Sequence, residues 1–368
     1  MDNNRLLHNE NSSIVCKECT GGLQCEITYK YLGFSMASSM SVDILSEITK
    51  DQQQILLFIY TFLSTLFLFV AIINNVICIE TFLSPKIRIT TCGVYLLIYS
   101  IYSIVGMCLL EIITIIYLFF NDQLLSHSVL FCNFLPGCVN ILFFASLWTS
   151  SFLAVERALI ECFDSRFSLY RTRRYSILAS ILLLIILTVI HVSTILGKKI
   201  IPNPVSGMHY ICILHSQPSF AWKMIDKTLN STYLHYGLVW LLHLLSALLI
   251  LYHIVRHKIY ISCLKRSQWP SVFLQQIRNH KDFLIPPILI FLCTTPHVIL
   301  LQLKLDECVQ SDMKFYLRFH LFLDFCIYLP QTITFFVYLY PSKVYRMMYH
   351  ETYTYRKIHS IILKLCCK

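Results

Sequence analysis

The sequence predicts an all-α membrane protein, in which a seven-transmembrane helix bundle is followed by an amphipathic helix on the inner membrane surface. Hydrophobic residues make up 56% of the 368 residues and charged residues only 14%, whereas a soluble domain is about 45–50% apolar and about 25% charged. Seven stretches are mostly apolar over roughly 20 residues, the length that crosses a bilayer as a helix. The segments between them alternate between strongly basic and weakly acidic.

The predicted spans are helices because a membrane barrel would show segments of about ten residues with alternating hydrophobicity. They cover residues 55–79, 92–119, 132–159, 177–196, 234–255, 283–303 and 315–340. The chain is therefore expected to have an extracellular tail, 1–54, a transmembrane domain, 55–340, and a cytoplasmic helix and tail, 341–368. The polar first residues do not resemble a cleaved signal peptide, so we expect the first span to direct insertion.

The charges of the loops predict the orientation in the membrane. The first set of alternating segments carries 19 Lys and Arg against 6 Asp and Glu, and the second set carries 10 against 12. The basic set comprises 80–91, 156–176, 256–282 and 341–368. Basic loops lie in the cytoplasm, so we expect an extracellular N-terminus and a plasma-membrane location. The net charge of +10 then reflects topology and lipid contact, and no nucleic-acid partner is expected.

The predicted outer side also carries glycosylation sequons and cysteines. The sequons begin at Asn11 and Asn230, and glycosylation takes place on this side of the membrane. Six cysteines there permit three disulfides with 15 possible connectivities. They are Cys16, Cys19, Cys25, Cys132, Cys212 and Cys308. The three in the tail are an incomplete zinc set, so no metal site is expected.

The third span has chemically distinctive residues at both ends. Cys132 and Arg157 are 25 residues apart, which is roughly 37 Å along a helix. The cysteine is therefore expected at the outer face and the arginine at the inner face. An arginine at the membrane edge is costly unless it is paired, reaches the interface or has a function. Glu156 can pair with it, and a simple anchoring role for the arginine remains an alternative.

This combination resembles the rhodopsin-like (class A) G-protein-coupled receptors. In that family the third span opens with a disulfide-bonded cysteine and closes with Asp/Glu-Arg-Tyr, which here is Glu156-Arg157-Ala158. The resemblance extends over about residues 55–350. It implies a disulfide between Cys132 and Cys212, and a role for Glu156 and Arg157 in G-protein coupling.

Other spans carry further parts of the resemblance. Asn74-Asn75 looks like the family's first-span Gly-Asn, and 88–97 looks like its Arg-x-x-Thr-Asn-x-Tyr-Leu-Leu stretch. Cys293-Thr-Thr-Pro296 is similar to the sixth-span Cys-Trp-x-Pro, in which proline kinks the helix. Pro330 is matched to the proline of the seventh-span Asn-Pro-x-x-Tyr motif. The resemblance implies that Pro296 and Pro330 take part in activation.

Several motif residues of the family are replaced, so the chain resembles a divergent receptor. Ser103 stands where the family has the second-span aspartate, and Thr294 stands where it has the sixth-span tryptophan. The motif around Pro330 has neither the asparagine nor the tyrosine. A sodium site built on the missing aspartate is therefore not expected.

Ionisable residues inside the spans predict a ligand pocket, because such residues are costly in a membrane. The candidates are Glu111, Arg318, His320 and Asp324, of which the last two lie four residues apart on one helix face. A structural ion pair, such as Glu111 with Arg318, is the alternative. The long tail and the second outer loop favour a neuropeptide ligand. Val139 replaces the aspartate of amine receptors, and the seventh span lacks the retinal-binding lysine of opsins.

Three other functions remain open: a chemosensory receptor for small molecules, a transporter, and a membrane enzyme without G-protein coupling. No nucleophile motif is present, and His253-x-x-x-His257 is a single histidine pair. We therefore expect no enzyme activity, no catalytic residues and no cofactor.

The C-terminal part has a separate prediction. An amphipathic helix is expected over 342–365, with Cys366 and Cys367 either palmitoylated or free thiols.

Overall fold

The computed structural model of the chain is mostly helical. It describes residues 20–21, 27–28, 36–45, 49–88, 90–119, 130–163, 169–196, 198–202, 210–214, 232–261, 269–303, 313–357 and 360. The predicted glycosylation sites, Asn11 and Asn230, and the predicted palmitoylation sites, Cys366 and Cys367, lie outside these residues.

In the described part of the chain, eleven helices precede a last short helical run at residues 353–357. They are α1 (Met36–Leu45), α2 (Lys50–Phe82), α3 (Pro85–Arg88), α4 (Thr91–Phe119), α5 (Leu135–Phe163), α6 (Leu169–Leu196), α7 (Leu238–Ile261), α8 (Trp269–Asn279), α9 (Lys281–Leu303), α10 (Met313–Thr332) and α11 (Lys343–His350). The wider π-helical turns Leu130–Phe134 and Thr232–Gly237 lead into α5 and α7, and Phe335–Leu339 follows α10.

Two short antiparallel hairpins accompany the helices, and the sequence analysis predicted neither. Strand β1 (Thr20–Gly21) pairs with β2 (Ile27–Thr28), and β3 (Lys198–Pro202) pairs with β4 (Tyr210–Leu214). Within the described residues these hairpins are the only strands, so the all-α class holds for the bundle itself.

Six helices in the described part of the chain are long and apolar enough to cross a membrane. They correspond to the first six predicted spans and cover Lys50–Phe82, Thr91–Phe119, Leu130–Cys162, Arg173–Val192, Leu234–Ile261 and Lys281–Ile299. The seventh predicted span corresponds to α10 and Phe335–Leu339. Helix α10 packs against α2, α4 and α9, but it carries Arg318 and Asp324 and is not among the six. A helical multi-pass protein is thus confirmed, while the seventh crossing stays a prediction.

Helix α5 lies at the centre of the bundle. It contacts α4, α6 and α7, and 56% of its most apolar stretch is buried, against 17% for α2. Small side chains allow this close approach of helices, and Ala145, Ser146, Thr149 and Ser150 on α5 are all buried.

Large apolar side chains cover the outside of the bundle. Phe58, Leu178, Val189 and Leu292 are each more than 60% exposed, and many similar side chains surround them. Soluble monomers rarely expose continuous apolar surface of this extent, so this surface is suited to a lipid environment.

The predicted N-terminal tail contains a helix that packs into one end of the bundle. Met36, Ala37 and Met40 of α1 are buried in one cluster with Leu110 of α4 and Leu321 of α10. We call this end of the bundle the Asp43 end, after a buried residue of α1. The opposite end, where α11 lies, is called the Arg157 end.

The amphipathic helix predicted over 342–365 is interrupted at the Arg157 end, because α11 ends at His350 and residues 353–357 are helical again after a turn at 351–352. The chain turns at Glu351, which forms a 3.6 Å ion pair with Lys86. The backbone N–H of Thr354 then donates to the Glu80 carboxylate of α2 at 3.1 Å. These contacts fix the direction of the chain after α11 against α2 and α3.

Candidate functional site

Arg157 is held at the Arg157 end by a carbonyl and two aromatic rings. Its Nη1 donates to the backbone carbonyl of Asp282 at 3.4 Å. Its guanidinium lies 5.5 Å from the ring centre of Phe283 and 6.0 Å from that of Tyr345. The predicted ion pair with Glu156 is not formed among the described residues. Burial raises the pKa of Tyr345, and the guanidinium partly opposes that shift.

The sequence of α9 explains why the Asp282 carbonyl is available to Arg157. In a regular helix this carbonyl would accept a hydrogen bond from the residue four positions later. That residue is Pro286, which has no N–H. The adjacent Pro287 in the same way removes the donor to Phe283. The proline pair therefore leaves acceptors in the first turn of α9, and Arg157 of α5 uses one of them.

A polar chain links three helices one to two turns further into the bundle. The hydroxyl of Tyr338, in the π-helical turn Phe335–Leu339, shares a hydrogen bond with Ser150 of α5. Ser150 also bonds Nε2 of His243 on α7 at 3.2 Å. The Tyr338 ring packs edge-on against Tyr99 of α4 at 5.1 Å. Single π-helical turns often occur at functional sites, and this one turns Tyr338 toward α5.

A cavity lies between Arg157 and this polar chain. It is small, with a cavity volume of about 20 Å³, and side chains of α5, α7, α9 and the Phe335–Leu339 turn line it. The polar or charged lining residues are Ser150, Arg157, His243, Ser246 and Tyr338. The arginine therefore lines a small cavity, with room for about one water molecule.

A second polar link crosses the middle of the bundle around Pro330. Asn75 of α2 donates to the carbonyl of Gln331 at 2.8 Å. The Gln331 side chain in turn donates to Ser146 of α5. Ser103, at the position of the family's aspartate, bonds its own helix at the Tyr99 carbonyl. Pro330 thus adjoins an amide-centred link between α2, α5 and α10.

Thr294, the residue after Cys293, forms a hydrogen bond to a neighbouring helix. Thr294 is fully buried and accepts a 2.9 Å hydrogen bond from the indole N–H of Trp240 on α7. The Trp240 ring packs against Phe291 of α9 at 5.2 Å. Thr294 takes the sequence position of the family's tryptophan. Trp240, a tryptophan of the neighbouring helix, contacts that position instead.

The ionisable candidates at the Asp43 end do not form one cluster. The Arg318 Nε donates to both carboxylate oxygens of Asp43 at 3.2 Å, and Tyr60 donates to the same carboxylate at 2.6 Å. Glu111 accepts instead from Thr65 at 3.0 Å and from Ser64 at 3.3 Å. The suggested ion pair of Glu111 with Arg318 is therefore replaced by an Asp43–Arg318 pair.

The face shared by His320 and Asp324 is confirmed. Nδ1 of His320 bonds a carboxylate oxygen of Asp324 at 3.1 Å. Nδ1 of His297, on α9, lies 3.4 Å from the other carboxylate oxygen. His320 and Asp324 are thus together in one buried group. The group also contains His297, which the sequence analysis did not select.

Cys132 is disulfide-bonded. Its predicted partner, Cys212, lies in β4, and the neighbouring strand β3 contacts the turn Leu130–Phe134 that contains Cys132. The hairpin therefore lies next to the predicted bridge, while the pairing itself stays a prediction.

Sequence reasoning missed several residues of these sites, including Asp43, Ser150, His243, His297 and Tyr338. Matching the seventh-span motif to Pro330 removed Tyr338 from consideration. A tyrosine seven residues before Tyr345, in a chain turning into an amphipathic helix, was the available signal. The other four are single residues whose partners lie far away in the sequence.

No protein-family model matches the chain, and no curated protein resembles it in sequence.

Proposed function

We propose that the chain is a divergent rhodopsin-like receptor of the plasma membrane, which binds an extracellular ligand and activates a heterotrimeric G protein. Its N-terminus and the Asp43 end face outside, and the Arg157 end faces the cytoplasm. The proposal rests on the motif resemblance and on one observation, the cavity beside Arg157 that α5, α7, α9 and Phe335–Leu339 line.

The contacts of Arg157 support a role in which it holds α5 to α9 through a contact that can be broken. Arg157 contacts a carbonyl and two aromatic rings, and it forms no salt bridge among the described residues. Neutral partners of this kind hold a guanidinium less strongly than an ion pair does. Movement of the first turn of α9 would free the arginine and enlarge the cavity for a G-protein element. The Tyr338–Ser150–His243 chain would couple that movement to three helices.

The ligand is proposed to act at the Asp43 end, where Glu111 and the Asp43–Arg318 pair lie. Glu111 is the candidate for a basic group, because among the described residues its carboxylate accepts only from the hydroxyls of Ser64 and Thr65 in α2. A peptide carrying a cationic or amidated residue is the ligand class that this proposal favours.

The test is ligand-free recruitment of each G-protein class to the receptor in cells, compared between wild type and Arg157→Ala at matched surface expression. We expect basal recruitment by the wild type and its loss in Arg157→Ala, because the freed guanidinium is also proposed to contact the G protein. Arg88→Ala is the matched control, because Arg88 is exposed and lies outside the cavity lining. No recruitment of any class by the wild type, or equal recruitment by all three proteins, would refute the coupling proposal.

Pro286→Ala tests whether weakening the Arg157–Asp282 contact increases recruitment. The new N–H can bond the Asp282 carbonyl and compete with Arg157, so basal recruitment should rise above the wild-type level. Unchanged or reduced recruitment by a well-expressed Pro286→Ala protein would contradict the proposal that Arg157 holds α5 to α9 in the inactive state.

One observation favours a second candidate, a chemosensory receptor for small molecules. Helix α1 packs in a cluster that includes Val139 of α5 and Leu321 of α10, which are inward positions where a large peptide would otherwise insert. A ligand small enough to enter beside α1 fits this arrangement. Activation by small organic compounds but not by a peptide library, in the recruitment assay above, would identify this class.

A further inference from the structure

Two helices bring a histidine, histidine and aspartate group together inside the bundle. His297 follows Pro296 on α9, and His320 and Asp324 lie one turn apart on α10. All three residues are less than 10% exposed. Helices α9 and α10 pack against each other, so that the group bridges two neighbouring elements.

The three side chains direct metal-binding atoms toward one point. Nδ1 of His297 and Nδ1 of His320 lie 3.4 and 3.1 Å from the two carboxylate oxygens of Asp324. One ligand atom from each residue lies within 4.8 Å of the others. A tetrahedral zinc with bonds near 2.1 Å separates its ligand atoms by about 3.4 Å. Small side-chain rotations therefore bring this set to bonding distance.

The chemistry of the group matches zinc rather than calcium or magnesium. Imidazole nitrogens with one carboxylate suit zinc and related transition metals, whereas calcium and magnesium prefer oxygen ligands. A divalent cation would also compensate the charge of a carboxylate buried in the bundle. Three protein ligands would leave one position for water or another small ligand.

We propose that His297, His320 and Asp324 form a zinc-binding site that joins α9 to α10. The site goes beyond the proposed receptor function, since metal binding requires neither a ligand nor a G protein. Bound zinc would fix the distance between the two helices near Pro296. It would therefore stabilise one arrangement of the bundle.

The test measures zinc directly on purified protein in nanodiscs, with an affinity tag that contains no histidine. The half-buried His253 and the exposed His257 stack on α7, and this pair could bind zinc by itself. His253→Gln and His257→Gln are therefore introduced into every protein compared. After chelation, zinc is added back and quantified by mass spectrometry and by competition with a zinc indicator.

The parent protein should retain one zinc more per chain than His297→Phe or Asp324→Asn, and zinc should raise the thermal midpoint of the parent alone. Loss of one ligand should weaken binding by roughly tenfold or more. Equal zinc content in the parent and both variants would overturn the proposal.

A second comparison decides the question if the first variants fold poorly. His297→Cys and His297→Ser are nearly equal in size, but only the thiolate is a good zinc ligand. The cysteine variant should bind zinc, and with cobalt(II) it should give a thiolate-to-cobalt charge-transfer band. The serine variant should show neither. Identical behaviour of the two variants would refute the site, and an ordinary hydrogen-bonded cluster would remain.

Discussion

Most buried hydroxyl groups in this bundle bond within their own helix. Ser100, Ser103, Thr114 and Thr149 each donate to the carbonyl four residues earlier. Such bonds satisfy the hydroxyl in a membrane without choosing a neighbouring helix. The few side-chain bonds between helices are therefore the ones that specify how the helices pack, and Ser150 and Gln331 provide two of them.

A second single-residue feature is the close approach of the α3 backbone to Gly93. The N–H of Gly93, in the first turn of α4, donates to Thr90 Oγ1 at 3.1 Å. A Cβ at Gly93 would lie 2.3 Å from the Ile87 carbonyl oxygen of α3. The turn between α3 and α4 can form in this geometry only without a side chain at that position.

We predict that Gly93→Ala destabilises the protein by about 1–3 kcal/mol, because the clash is with backbone and α3 must shift. The thermal midpoint in nanodiscs measures this effect. Gly106→Ala is the matched control in the same helix, because its new Cβ would lie 3.5 Å from Leu142, an ordinary contact. Alanine also favours helix more than glycine does, so Gly106→Ala should be neutral or stabilising. Equal midpoints for the two variants would contradict the clash.

At the scale of elements, α1 is attached to the bundle by both apolar and polar contacts. Its apolar residues lie in the cluster with α4 and α10, and Asp43 is fully buried. Asp43 accepts from Tyr60 of α2 and Arg318 of α10. The Arg318 side chain is 47% exposed, so that water weakens its part of the interaction. The buried carboxylate is the better position at which to test docking.

We predict that Asp43→Asn loosens α1 while leaving the rest of the bundle folded. Replacing a charge-assisted bond by a neutral one removes about 1.5 kcal/mol, so amide exchange in α1 should become roughly tenfold faster. Hydrogen–deuterium exchange with mass spectrometry in nanodiscs resolves this segment. Asp51→Asn is the control, because Asp51 is an exposed acidic residue in the first turn of α2. The prediction fails if both variants exchange α1 amides at the wild-type rate.

For the whole molecule, the number of crossings decides which compartment each end of the chain reaches. Among the described helices, six satisfy the length and apolarity required to cross a membrane. Helix α10 packs beside them, and its Arg318 side chain is about half exposed. An odd number of crossings separates the two chain ends, and an even number leaves them on one side. The strong basic bias of one set of loops favours separation.

We predict that an epitope at the N-terminus binds antibody on intact cells, and that an epitope at the C-terminus binds only after permeabilisation. Such a result requires α10 to cross the membrane as the seventh span. An α10 that does not cross would leave both ends in one compartment. A protein with both epitopes labelled on intact cells, or neither, would therefore exclude the seven-span arrangement and with it the receptor proposal.

The sequence by itself determined the helical membrane class, the first six spans and the shared face of His320 and Asp324. These follow from local properties, namely the length of apolar runs and the spacing of residues on one helix. Only the tertiary structure decided which distant residues meet. The docking of α1 on α10, the use of the Asp282 carbonyl by Arg157 and the approach of His297 to Asp324 depend on how helices pack. Apolar spans of similar composition can pack in many ways, and a few buried polar contacts select one of them.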